Sequence, residues 1–468
     1  MTDSPFKAAR AAWEAGARLR DTRRRMKKFA YGQQWDDPVT LPDGTVVTAA
    51  EHARRQLCIP VTDNLIRQIV KSVVGRFRAA PRPSRYASGR LARIAEANLL
   101  DELDARTLEE FLISGCAIHR VCHATRPEGP GPWTDIVSPA RFFVNPFRDP
   151  RGHDIEVAGM LHDWSLDETI ARMAPGDRRL ADTIRSLYAA DADALPFTLR
   201  DIGTDAGGES FLHASDFTRC RVIEVWTRSI AGITSCHDPE TGRCRFTDDA
   251  GAAAVADVNR AREARGALPV VTRRRLQASW TGRWYTPSGR LLCQTAPRPC
   301  HPFAVKFYPL VDGEVHPFIE DVIDRQIQIN RTLTMADRIM AVSAKEVVLM
   351  PQESVLGAPH WRLEDYARAW ATPGSMIPYR AQGGRMPTVV NTAGISSGLS
   401  DLLAVEMRMI EQVSGVTSAL QGQKAATGDN AALYRAQADN AATTLTDIFA
   451  TFDSFRSQRD RLLLAGAK

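Results

Sequence analysis

After Pro317 the chain runs FIEDVIDRQIQINRTLTMADRIMAVSAK with neither proline nor glycine to interrupt it. Proline is tolerated at a helix start, so one continuous helix is predicted over residues 316–345, its stretch after Pro317 alone about 42 Å long at ~1.5 Å per residue. Ile319, Val322, Ile323, Ile327, Leu333 and Ile339 recur at roughly helical spacing, while Gln326, Gln328, Asn330, Thr332 and Thr334 break the apolar stripe. So narrow a seam does not organise the centre of a monomeric core. The helix is expected to act as a strut packed sideways against copies of itself. Taken alone, Asp324, Gln326, Asn330 and Arg331 read as its solvated face.

The 468 residues suggest roughly three domains, and 44% apolar content is ample for at least one packed core. No apolar run reaches the ~18 residues that span a bilayer. The segment MTDSPFKAAR lacks the apolar core of a secretory signal, so synthesis in the cytosol is expected. The cysteines at 58, 116, 122, 220, 236, 244, 293 and 300 are scattered through a large chain and are expected to be reduced. A net charge of +5 from 60 basic and 55 acidic residues does not announce a nucleic-acid binder. Basic residues do concentrate at 18–28 and 273–275.

Residues 5–30 are predicted to be helical, with Ser4-Pro5 at the start and a basic run that reads as a solvated face or a subunit contact before it reads as a DNA arm. Tyr31-Gly-Gln-Gln-Trp35 follows as a glycine stop with an aromatic docked on the body. Asn64 opens a helix over 64–75, and another is predicted over 88–111. Strands are predicted at 116–124, 135–144, 156–163 and 221–228. A tight loop between Cys236 and Cys244 places the two thiols across a ladder, residues 250–267 suggest a surface helix, and Trp280, Trp284 and Tyr285 suggest a further hairpin. Beyond the long helix come a strand at 346–350, a short helix at 361–370, a strand at 375–380, and a second helix at 397–412. Leu399, Leu402, Leu403, Met407 and Ile410 form the apolar face of that second helix. The chain closes with a predicted helix over 430–464 carrying Phe449, Phe452 and Phe455.

In this order the segments at 31–35, 64–83, 324–334 and 415–422 resemble tailed-bacteriophage portal proteins, particularly the P22-like branch. Asp324-x-Gln326-x-x-x-Asn330-Arg331 is similar to that branch's long-helix motif, with Arg325 where proline often stands. Gly415-Val-x-x-Ala-Leu-x-Gly422 resembles the loop after its second stem helix. The resemblance implies an α+β portal fold with an α/β wing over 1–315, stem helices over 316–345 and 396–413, a small α/β clip over 346–395, a tunnel loop over 414–424 and a helical crown over 425–468. It further implies a ring, usually a dodecamer, at one capsid vertex. Double-stranded DNA would pass Gln421, Gln423 and Lys424 during packaging and ejection. The implied partners are the large terminase subunit, a head–tail adaptor, and the major capsid or scaffolding protein, with no membrane, no cofactor and no catalytic residue. The implied location is the virion, and the host cytoplasm during assembly.

No G-x-x-x-x-G-K-[ST] or His-Glu-x-x-His pattern is present. One rival reading is another oligomeric virion component of a tail or baseplate. The other is a zinc-dependent hydrolase built on Cys116, His119, Cys122 and His123 with Asp135. On a strand, Cys116 and Cys122 point to one face and the two histidines to the other, an awkward geometry for one metal.

Overall fold

The computed structural model describes residues 4–194, 209–343, 347–349, 388–390, 397–416 and 445–466, apart from positions 57, 82, 215, 217 and 248, and in addition 362, 364, 365, 368 and 443. It is an α+β fold in two compact units. The first comprises Met1–Lys27, Val70–Glu320 and Gln423–Lys468; the second comprises Lys28–Ile69 and Asp321–Gly422.

In the first unit the predicted opening helix is two helices, Pro5–Ala15 and Ala17–Ala30. The break at Gly16 has a local cause. Arg20 folds back so that its guanidinium lies 3.6 Å from the centroid of the Trp13 ring and donates to the Trp13 carbonyl at 2.7 Å. A Cβ on Gly16 would stand 2.9 Å from that guanidinium. Burial lowers the Arg20 pKa to about 10. The basic run is partly spent within the chain, because Arg23 forms a two-pronged pair with Glu110 at 2.6 and 3.1 Å. Ala9, Ala12 and Trp13 then pack against the main sheet.

That sheet is antiparallel, in the order Leu291–Gln294, Val271–Tyr285, Cys220–His237, Val157–Trp164 and Phe142–Val144, with Cys244–Thr247 also paired to Cys220–His237. A three-stranded sheet places Cys116–Arg126 between Phe303–Phe307 and Gly129–Ile136. Side chains of both sheets, including Ile118, Phe142, Trp226, Trp284 and Phe303, share one core. Within the main sheet two glycines make room for their neighbours on the adjacent strand. A Cβ on Gly159 would meet the Glu224 carbonyl at 2.1 Å, and one on Gly282 would meet the Trp226 ring at 2.7 Å.

Several boundaries differ from expectation. The strand expected at 135–144 is two strands separated by a turn at Ser138-Pro139, and the strand expected at 221–228 runs on through Cys220–His237. The helix expected at 88–111 is split into Gly89–Ala97 and Leu100–Ser114. Asn98 forces this break: its side chain accepts from Thr134 N at 2.7 Å and donates to Pro132 O at 3.1 Å, and Leu99 takes a φ of 50°. All the cysteines are free. Cys236 and Cys244 do not face each other, because the register pairs Cys236 with Arg245 and His237 with Cys244. The offset of one residue sends the two thiols to opposite faces.

The helix Thr446–Gly466 closes the first unit. Phe452 lies 5.8 Å from Phe111 and 5.5 Å from Phe77, and Phe455 meets the buried His119 ring edge-on at 4.8 Å. Beside this aromatic cluster is a buried charged one. Arg459 donates to Asp104, to the Tyr86 hydroxyl at 2.7 Å and to Asp460 at 3.0 Å, while Arg456 stands 2.9 Å from Asp104.

The second unit is built on the helix Glu320–Ser343, about 36 Å long at ~1.5 Å per residue. It begins later than predicted because residues 316–319 form a turn, with His316 N donating to Tyr308 O and Glu320 N to Pro317 O. Lys345 lies outside the described residues. A hairpin joins Pro38–Thr40 to Val46–Thr48, and Thr48 caps the helix Ala49–Arg55 through Glu51 N at 3.1 Å. The strand Val347–Leu349 pairs with Thr388–Val390. The expected strand at 375–380 lies outside the described residues, as does most of the expected helix at 361–370. Ser397–Ser414 is the second helix.

Candidate functional site

Gln326, Asn330 and Thr334 recur every four residues and therefore lie on one face of the long helix. That face is not solvated. Gln326 is 0% exposed, Asn330 3% and Thr334 4%, so the expectation of a solvated face fails for these residues. A buried amide is tolerable only if its donors and acceptors are matched. Here they are matched by the chain's own N-terminal segment. The Gln326 oxygen accepts from Leu65 N at 3.1 Å and Ile66 N at 3.3 Å, and its amide donates to the Asp63 carbonyl and to Asn330 at 3.0 Å. Asn330 accepts from Asp63 N at 3.2 Å and donates to the Gln34 oxygen at 2.6 Å. Thr334 accepts from Val61 N at 3.0 Å.

The network continues through the turn at Tyr31–Trp35. Gln34 donates to Phe29 O at 2.9 Å and to Asn64 at 3.1 Å, and Asn64 donates to Ala30 O at 3.0 Å. Trp35 donates from its indole to Val61 O at 3.2 Å. Arg67 lies 4.3 Å over the Tyr31 ring. Helix starts leave their first amides unbonded. For the helix Leu65–Ala79, Asn64 accepts from Arg67 N at 3.1 Å in the ordinary capping position, while Gln326 covers the two preceding amides from a distant part of the chain. Three of the segments singled out in the sequence thus meet at one place, with Gln34, Asn64, Gln326 and Asn330 as its centre.

Asp324 and Arg331 do not join them. Both are exposed, they share a face seven residues apart, and neither forms a hydrogen bond or ion pair with the described residues. Arg325, between them, pairs with Glu406 of the second helix at 3.2 Å. Gln421, Gln423 and Lys424 lie outside the described residues.

The second helix has a divided apolar face. Ile410 and Glu406 turn inward, at 3% and 8% exposure, whereas Leu402 and Met407, expected on the same face as Ile410, are exposed. Leu402, Val405, Met409 and Val413 form a stripe at i, i+3, i+7 and i+11, and all four are exposed. The long helix exposes Met335 and Met340 as well. Reading the apolar residues as a single face hid this stripe. The signal that would have found it is a second helical series alongside Leu403 and Ile410.

The four residues of the zinc reading are not brought together. Cys116 packs in the shared core and donates to Ser114 O, and burial pushes its thiol above the ordinary range. His119 is buried against Thr107 at 2.6 Å, with its pKa held well below the usual value by burial and then by Arg459. Cys122 donates weakly toward Asp135, and His123 is exposed. Among the described residues no three His, Cys, Asp or Glu side chains are placed to hold a metal ion, and no helix is long and apolar enough to cross a membrane.

No curated protein matches the sequence. The model for the phage P22-like portal protein does, over residues 6–462, a span that contains every segment of the amide network and the helices Glu320–Ser343 and Ser397–Ser414. The chain belongs to the phage P22-like portal protein family.

Proposed function

We propose that the chain works as a portal by assembling into a ring, a dodecamer, at one capsid vertex, with double-stranded DNA moving through the central channel in packaging and ejection. As a family member it is a structural, non-enzymatic component of a phage virion. In this reading 1–315 is mainly wing, 316–345 and 396–413 are stem, 346–395 is clip, 414–424 is tunnel loop and 425–468 is crown. The terminase and then the head–tail adaptor dock at the clip, and coat or scaffolding protein surrounds the wing.

The observation that carries the ring is the exposed stripe Leu402, Val405, Met409 and Val413. An apolar helix face of this kind is ordinarily covered by a partner. Asp324 and Arg331, of opposite charge on one exposed face, suit contact between neighbouring copies. Native mass spectrometry with electron microscopy tests this. The wild-type chain is expected to give rings with a channel wider than the ~20 Å of duplex DNA, and the double variant Leu402→Glu/Met409→Glu to give folded monomers. Rings that persist unchanged in the double variant remove the stripe from the interface.

The tunnel-loop residues Gln421, Gln423 and Lys424 offer polar contacts weak enough to let DNA slide, since extensive counterion release would arrest it. Lys424→Ala is expected to leave the ring intact and to alter DNA retention or packaging. If the ring itself is lost, Lys424 belongs to the assembly contacts instead.

A further inference from the structure

The first unit contains a half-open cavity of about 720 Å³ between the loop at residues 150–155, the paired strands near Arg228 and Ala278, the approach to Phe303–Phe307, and one face of the C-terminal helix. Its floor is apolar, with Ile155, Trp280, Phe303 and Leu462. Its rim is cationic, with Arg228, Lys306 and Arg461, and no aspartate or glutamate is among the lining residues. Arg151 also lines it, but Asp149 pairs with that guanidinium at 3.0 Å.

The other three cations donate to neutral groups, and Asp149 acts on Lys306 through charge alone. Lys306 donates to Pro150 O at 2.7 Å and Ser454 at 3.3 Å, Arg228 to His153 O at 2.5 Å, and Arg461 to Ser457 O at 3.2 Å. The Nε of Arg228 is buried with no partner among the described residues. His301 adds a donor. Its Nδ1 accepts from Phe303 N at 3.2 Å, which leaves the ring proton on Nε2, and burial holds its pKa at about 4. The cavity therefore combines several donors with an apolar floor, and the carboxylate at its edge, Asp149, is engaged by Arg151.

We propose that this cleft receives an acidic segment of a partner protein, with its carboxylates on Lys306, Arg228 and Arg461. Charge-assisted bonds from guanidinium and ammonium to carboxylate are the strongest available to such a rim. Nucleic acid fits less well. Single strands bind by stacking bases on open aromatic faces, and here Trp280 is 7% exposed and Phe303 0%. A duplex is too broad for a cavity whose volume suits a few side chains. The inference does not depend on ring formation, and the two can fail separately.

The test is fluorescence anisotropy on the full-length protein, with a labelled dodecapeptide alternating glutamate and leucine, its glutamine and lysine counterparts, and a short DNA duplex as competitor. Subunit number is recorded in parallel by native mass spectrometry. The acidic peptide is expected to bind in preference to both counterparts, and Lys306→Glu or Arg461→Glu to weaken it by about tenfold each. Arg461 is exposed on the C-terminal helix, so its variant keeps the test valid should Lys306→Glu misfold. The proposal is overturned if the glutamine peptide binds equally, if Arg461→Glu leaves affinity unchanged, or if duplex DNA displaces the peptide at comparable concentration. Rings that ignore the peptide refute the cleft alone; monomers that bind it refute the ring alone.

Discussion

Gln326→Leu is expected to destabilise the second unit by about 3–6 kcal/mol, the sum of a few buried groups left unsatisfied at ~1–3 kcal/mol each. The substitution keeps the apolar volume of the helix while removing the acceptor for Leu65 N and Ile66 N and the donor to the Asp63 carbonyl and Asn330. The loss should be local before it is global. Hydrogen exchange at residues 61–67 is expected to accelerate by orders of magnitude, with a lowered melting transition for the unit. Gln328→Ala and Asp337→Asn provide the contrast, because both residues are exposed and surface changes of this kind stay within about 0.5 kcal/mol. If all three variants melt alike, the amide network contributes nothing measurable.

Arg459→Ala is expected to cost the first unit about 3–5 kcal/mol, the usual penalty for leaving a buried charge without its partner. Asp104 is 1% exposed, and burial raises its carboxyl pKa even with Arg459 and Arg456 beside it. Without Arg459 the folded-state pKa should rise further above the unfolded ~3.9. A folded pKa above the unfolded one means that folding takes up a proton. The variant's deficit should therefore be largest at neutral pH and shrink as pH falls toward the ordinary carboxylate value. Chemical denaturation at pH 7 and pH 4.5 measures this. An Arg459→Met/Asp104→Leu double variant should recover only part of the loss, since exchanging a buried pair for apolar groups is often nearly neutral but here leaves the buried Arg456 without Asp104. A double variant no better than Arg459→Ala would show that the bonds to Tyr86 and Asp460, together with the stranded Arg456, outweigh the pair itself.

Many helices and strands were legible because their signals are local, but the helices Ala49–Arg55, Leu166–Met173 and Arg178–Ala194 were not expected. Asn64 before an apolar run marks a helix start, and Phe449, Phe452 and Phe455 mark the face of the last helix that packs inward. The motif residues were legible as types but not as a site. Reading polarity as exposure put Gln326 and Asn330 on a solvated face, although their spacing of four, continued by Thr334, already described a single stripe. What no local pattern could supply was the matching set of backbone amides and carbonyls at residues 61–66. The same holds for register. The loop between Cys236 and Cys244 predicts a hairpin but does not choose between pairings one residue apart, and the structure takes the one that separates the thiols. Helix breaks at Gly16 and Leu99 arise from Arg20 on Trp13 and from Asn98 on the sheet, contacts that a propensity reading does not contain.

The amide junction also sets an order of events in time. Gln326 lies 261 residues from Leu65, and Asn330 lies 296 from Gln34. At the ~5–20 residues per second of ribosomal synthesis, roughly 13–60 s separate the emergence of the two sides. Throughout that interval the first two amides of the helix Leu65–Ala79 have no distant acceptor. The seat that holds the long helix is completed only when the long helix itself has been made, so a truncated chain leaves the ribosome with that junction open.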